Sequence, residues 1–194
     1  MKTLALAAAL AAAAVTSAQA ADLYKLDASH SQIVFSYDHL GYSTTFGMFS
    51  GFEGEIMFDQ DDPAASTVEV SFPVRSMFTG WEARFDHFMA DDFFGAGEEE
   101  LVTFVSTGIE VTGDDTALIT GDLTLNGVTK PVVLDAKLNQ VNEHPMAKQP
   151  WAGFDATTTL IRSDYNLGNF APFVSDEVDV IISIEAMQAD AQEG

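Results

Sequence analysis

Apolar and polar residues alternate with period two along most of this chain. Val68, Val70 and Phe72 interleave with Thr67, Glu69 and Ser71. Val132, Leu134, Ala136 and Leu138 interleave with Val133, Asp135, Lys137 and Asn139, and Val178, Val180, Ile182 and Ile184 with Asp179, Ile181, Ser183 and Glu185. Strict alternation predicts strands with one face in a core and one in water. Residues 32–37, 47–58, 102–112, 117–126 and 153–161 read the same way, and 24–27 adds a short first strand. Gly47, Gly51 and Gly54 read as bends in one strongly curved strand. Turn residues separate the runs, among them Asp59-Gln60-Asp61-Asp62-Pro63 and Gly113-Asp114-Asp115. Asn126-Gly127 is a hairpin signal, because both residues tolerate positive φ. Eight or so strands with short connections predict an all-β domain, either an antiparallel sandwich or a closed barrel.

One segment breaks the alternation. From Trp81 to Met89, and on toward Phe94, apolar residues recur at spacings of three and four: Trp81, Phe85, Phe88 and Met89. That spacing predicts a short helical insertion, with Thr79 placed to cap its start. Its Phe and Asp side chains then face opposite ways. Residues 146–151, which contain Pro150 and directly follow Pro145, read as an irregular loop, and residues 189–194 as a polar, disordered tail.

Residues 1–20 carry a different pattern. Lys2 precedes a Leu/Ala run that ends at Ala18-Gln19-Ala20, a small-x-small cleavage signature. A cleaved signal peptide is expected there, followed by one domain over residues 21–188 and export to the periplasm. The chain has no cysteine, so a disulfide cannot hold the exported domain together. With 8 basic and 30 acidic residues, the formal net charge is −22. Such a surface repels nucleic acid and anionic headgroups.

Chemistry-bearing motifs are sparse. The four histidines, His30, His39, His87 and His144, show no metal-type spacing, and neither a metal nor a cofactor is expected. There is no G-x-S-x-G elbow. Asp86 beside His87 could be a base and its orienter, but adjacent helical residues diverge by about 100°. Aromatic supply stands out instead, with 15 Phe residues in the chain. Either they form a Phe-rich core, or they line a barrel wide enough for one apolar ligand.

Several blocks together resemble one known family. LDASHSQIVFSYDHLG (26–41) resembles its opening motif, and GMFSGFEGEIMFD (47–59) its Gly-x-Phe-x-x-Phe-x-Gly strand. ARFDHFMADDFF (83–94) is similar to its Arg-Asp-x-His-Leu segment, with Phe85 and Phe88 in place of the usual Asp and Leu. VTFVST (102–107), GDLTLNGVTKPV (121–132) and RSDYNLGNFAPFVSDEVDV (162–180) follow in the family's order, with Asn166 where Gly is common. The chain is thereby identified as resembling the YceI-like periplasmic polyisoprenoid-binding proteins. The resemblance implies a lipocalin-like, eight-stranded antiparallel β-barrel enclosing a long isoprenoid or quinone-type lipid, for binding or transport and with no known catalysis. It also implies a cytochrome b561-type membrane protein as a possible partner.

On that basis the expected lining and lip are Phe35, Tyr37, Phe46, Phe49, Phe88, Phe93, Phe94 and Phe104. His87, Arg75 and Arg162 are the expected headgroup contacts, with a structural bridge from Arg162 to Asp164 or Asp176 as its alternative role. Two other function classes stay open: a protein whose acidic surface docks a basic redox or membrane partner, and an enzyme acting on an isoprenoid inside the barrel. Long β-edges also make a homodimer plausible.

Overall fold

The structure, a computed structural model, describes residues 21–189. The expected signal peptide and all but the first residue of the expected tail lie outside the described residues. Ten strands form one sheet: β1 (Asp22–Leu26), β2 (Gln32–His39), β3 (Ser43–Phe49), β4 (Glu53–Phe58), β5 (Thr67–Pro73), β6 (Leu101–Val111), β7 (Thr116–Leu125), β8 (Val128–Glu143), β9 (Pro150–Ile161) and β10 (Glu177–Gln188). Their order is β1-β4-β5-β6-β7-β8-β9-β10-β2-β3, and β1 also pairs with β10. That pairing closes β1 and β4 through β10 into the expected eight-stranded antiparallel barrel. The β2–β3 hairpin is additional. β10 pairs with β1 over residues 186–188 and with β2 over 179–183, so the hairpin takes over where β1 ends.

Local chemistry explains the path. Asn126 and Gly127 take φ of 49° and 69°, the mirror-image turn their sequence calls for, and join β7 to β8. Register shifts at Ser106/Gly108 and Leu138/Gln140 place bulges in β6 and β8, which curl the wall. Gly47 sits opposite Phe35, whose ring lies across it; a Cβ there would stand 2.2 Å from the ring. Any side chain at 47 would push Phe35 out of the core.

Three expectations change. Residues 47–58 are two strands rather than one curved one, separated by 50–52, where Phe52 turns into the core. The helix α1 (Glu82–Met89) begins one residue later than its apolar spacing, with Trp81 at the N-cap and no side-chain cap. Thr79 does not cap it: its hydroxyl donates to the Trp81 carbonyl at 2.8 Å and closes the preceding turn. The loop before β9 is also shorter than expected, since Pro150 and Trp151 already belong to that strand.

The core is asymmetric. Phe35, Phe49, Phe72 and Phe52 stack in series, with ring centroids 4.9–5.4 Å apart, on the β2–β5 side. A second cluster gathers Tyr24, Ile56 and Phe58 against Ala152 and Ala186. Across the barrel, Ala136 and Ala156 are buried cross-strand partners on β8 and β9. One wall is thick with rings and the opposite wall is thin.

Candidate functional site: an apolar cavity along the barrel

The thin wall leaves a cavity of about 840 Å³. Native cores contain few voids larger than a water molecule, so a space of this size is not a packing defect. Sites for small molecules occupy about 300–1,000 Å³. The lining follows β6 from Val102 to Val111, roughly 30 Å along the strand at about 3.3 Å per residue. It is overwhelmingly apolar, drawing Phe, Val, Leu and Ile from nearly every strand. Alternation along the strands is what aims these residues inward.

The two ends differ. At one end, the flap end, α1 and the turns after it lie over the barrel. Phe88, Phe93 and Phe94 reach the cavity, while Asp86, Asp91 and Asp92 are exposed. The amphipathic reading of this segment therefore holds. Arg84, His39 and Asn169 also edge this end. At the far end, the Gly113–Thr116 turn brings Asp114 and Asp115 to the cavity, with Asp155 and Lys137 nearby on β9 and β8.

Nine of the eleven residues singled out from sequence line this cavity: Phe35, Tyr37, Phe49, His87, Phe88, Phe93, Phe94, Phe104 and Arg162. Phe46 and Arg75 do not. Phe46 stands on the outer face of β3 and is 61% exposed. Arg75 donates to the Ala96 carbonyl at 3.2 Å, sits 3.5 Å from Glu98 and covers the Phe85 ring, so it pins the segment after the flap.

Arg162 is a clasp. Its guanidinium donates to the carbonyls of Ser175 (2.7 Å), Asn169 (2.8 Å), Val174 (2.9 Å) and Leu167. These four acceptors hold the 166–175 loop against the barrel rim. Burial lowers its pKa, and Asp176 opposes that effect. Arg162 makes no ion pair with Asp164 or Asp176: Lys130 binds Asp164 at 2.6 Å, and Asp176 accepts from the Ser163 amide and hydroxyl. Those Ser163 hydrogen bonds lower the Asp176 pKa, with Arg162 adding a smaller effect.

His87 lies in the last turn of α1. Its ring meets Phe93 edge-on, with centroids 4.8 Å apart, and Phe170 at 6.3 Å. Arg84, which the sequence reading passed over, lies one turn before Phe88 and packs over Trp81. The i,i+4 spacing from Arg84 to Phe88 was the available signal.

One polar cluster lies off the cavity. Ligand atoms of Asp27, His30 and Glu185 fall within 4.8 Å of one another, a grouping the histidine spacing did not reveal. His30 Nδ1 is 2.6 Å from Asp27, and Glu185 accepts from the Trp151 indole at 2.8 Å, so each of the three already has a partner within the protein. The Asp27 hydrogen bond raises the His30 pKa.

Comparison with known proteins places this architecture. The YceI-like domain model matches residues 24–186. The chain belongs to the YceI-like family. A UPF0312 protein of Ectopseudomonas mendocina is 41% identical over 177 residues, covering 88% of this chain and 90% of that protein. Protein YceI of Shigella flexneri is 41% identical over 174 residues, covering 89% and 90%. Among solved structures, a YceI protein of Campylobacter jejuni aligns with a TM-score of 0.69 at 28% identity, over 79% of this chain and 90% of that one. A polyisoprenoid binding domain from Saccharophagus degradans, implicated in plant cell wall breakdown, aligns with a TM-score of 0.67 at 16% identity, over 86% and 98%. At that identity the likeness bears on the fold alone. The closed barrel and its flap are thus a YceI-like fold.

Proposed function

We propose that this YceI-like protein is a periplasmic carrier that holds a polyisoprenoid, or a chemically similar long apolar lipid, inside its barrel. One observation carries the reading: an apolar cavity of about 840 Å³ that follows the strands through the barrel. A long hydrocarbon chain gains about 0.8 kcal/mol for each methylene moved from water into such a lining. The polyisoprenoid-binding domain with the same fold supports this class of cargo. The leader pattern at residues 1–20 supports the compartment. The cavity favours binding over chemistry, because its ionisable groups sit at opposite ends. His39 and His87 are at the flap, and Asp114, Asp115 and Asp155 are at the other end. A general base and its acid need to be within hydrogen-bond reach of one reacting centre. Within this reading, a cytochrome b561-type membrane protein would supply or receive a quinone-type cargo.

Native mass spectrometry of protein purified from its own periplasm tests the proposal, with organic extraction of the co-purifying material. The expected result is a discrete adduct that extracts as a prenyl chain or quinone. A bare protein mass, together with no uptake of offered prenyl lipids, would overturn it.

A further inference from the structure

Among the described residues, six aromatic side chains are exposed: Tyr42, Phe46, Phe78, Trp81, Phe170 and Phe173. All six cluster around the flap end. Phe78 bridges to Met48, two residues along β3 from Phe46, and lies three residues before Trp81. Phe170 stacks 6.1 Å from Phe93, at the cavity edge. The Leu40 amide donates to the Phe173 carbonyl at 3.1 Å, and the Tyr42 amide to His39. Three separate segments thus meet as a collar around one mouth. Elsewhere the exposed large apolar residues are all aliphatic and are scattered over the strands and turns.

From this collar we infer that the flap end docks on a zwitterionic lipid bilayer and loads the barrel there. The inference rests on the carrier reading and names the reservoir of the cargo. An occupant of an 840 Å³ apolar cavity is insoluble in water, so it resides in a bilayer until it is bound. The mouth must meet that bilayer, or the cargo crosses water at a cost that grows with every methylene. Trp, Tyr and Phe on loops are the side chains that settle at a membrane–water boundary. Charge selects the lipid class. Asp38, Glu82, Asp86, Asp91 and Asp92 are exposed beside the collar, in a chain of net charge −22. They repel anionic lipids, but tolerate a headgroup whose outermost charge is an ammonium.

The test is flotation of the full exported chain with phosphatidylcholine vesicles that contain no isoprenoid. Wild type is expected to float. Tyr42 and Phe173 are 89% and 75% exposed and lie off the cavity wall. The double variant Y42S/F173S is expected to float at least about tenfold less, on the scale of losing two buried aromatic side chains. M146S, at an exposed aliphatic position in the turn before β9, should stay within about twofold, whereas Y42W should bind more tightly. Phosphatidylglycerol added to the vesicles should weaken binding, and salt should restore it. Prenol uptake from cyclodextrin, read by native mass spectrometry, should be equal for wild type and the double variant. If wild type stays with the soluble fraction, or the double variant floats equally well, the docking inference falls. If the double variant instead turns a dimer into a monomer, a second copy covers the collar and the inference also falls. Flotation without prenol uptake would leave the docking standing and remove the carrier reading.

Discussion

The two ends of the cavity are built from opposite materials. The flap end is aromatic, with its nearby cations Arg84 and Arg162 on the rim. The far end is edged by Asp114, Asp115 and Asp155, with Lys137 the cation on that edge. Both ends touch the same apolar lining, so the difference concerns direction rather than capacity. Carboxylates lie at both ends, exposed beside the flap and along the far edge, so charge does not set the direction. Under the proposed carrier reading, the aromatic flap end is the one that would admit an apolar chain. The far end serves as a polar floor. On this view the aromatic end handles exchange and the barrel middle handles retention.

The largest expected effect comes from blocking the passage between the ends. Ala156 faces the cavity from the thin wall, opposite Ala136 on β8 and Ile182 on β10. Ala156→Phe places a ring across the path, and prenyl uptake should fall at least about tenfold. Small-to-large changes in a packed core cost about 1–3 kcal/mol, but here the ring has room, so stability should fall by less than about 1 kcal/mol. Uptake by native mass spectrometry and the urea midpoint check the two halves. Unchanged uptake would mean that the ends are not joined by a single occupied path.

The next effect separates the clasp from a headgroup contact. Arg162→Ala removes four carbonyl partnerships at the flap rim. Hydrogen bonds from a charged donor contribute about 1.5–3 kcal/mol each, and water replaces part of that at a half-buried site, so about 3 kcal/mol of stability should be lost. Arg162→Lys should rescue little, because an ammonium lacks the planar fork that spans these acceptors. The urea midpoint reads this. A normal midpoint with lost uptake would instead make Arg162 a ligand contact.

Much of the barrel is written in its alternation. Each parity run became a strand except 47–58, which is split between β3 and β4, and the inward parity of β6, β8 and β10 became the cavity wall. The flap was legible as well, because Phe85, Phe88 and Met89 at helical spacing leave Asp86 facing water. Parity gave no warning of Phe46. Along β3 it alternates with buried Gly47, and a glycine carries no signal of which face is in. Arg162 was singled out because cations are scarce, but its four carbonyl partners belong to a loop whose path only the tertiary structure fixes. Backbone acceptors leave no trace in sequence, whereas carboxylates do, so attention went to Asp164 and Asp176. The aromatic collar escaped for a related reason: its members are far apart in the chain and join only where three segments meet.

The smallest expected effect belongs to neither end and serves as a control. Asp27 and His30 sit in the connection where β10 exchanges β1 for β2 as its partner. The hydrogen bond that the His30 ring donates to Asp27 raises the His30 pKa above its ordinary 6.5. Burial works to raise Asp27, but hydrogen bonds from His30 and Ser29 outweigh it and hold the carboxyl below its ordinary 3.8. A raised histidine contributes stability in full below 6.5 and loses it as pH climbs through the raised value. A lowered carboxyl contributes above 3.8 and loses it as pH falls through the lowered value. The pair is therefore strongest between those two ordinary values. His30→Ala should lower the Tm at about pH 5.5 and barely change it at about pH 8.5, where the histidine is neutral in either state. Thermal melts at the two pH values check this, with prenyl uptake unchanged at both. An equal drop in Tm at both would show that the ring holds the β1–β2 connection by packing rather than by its charge.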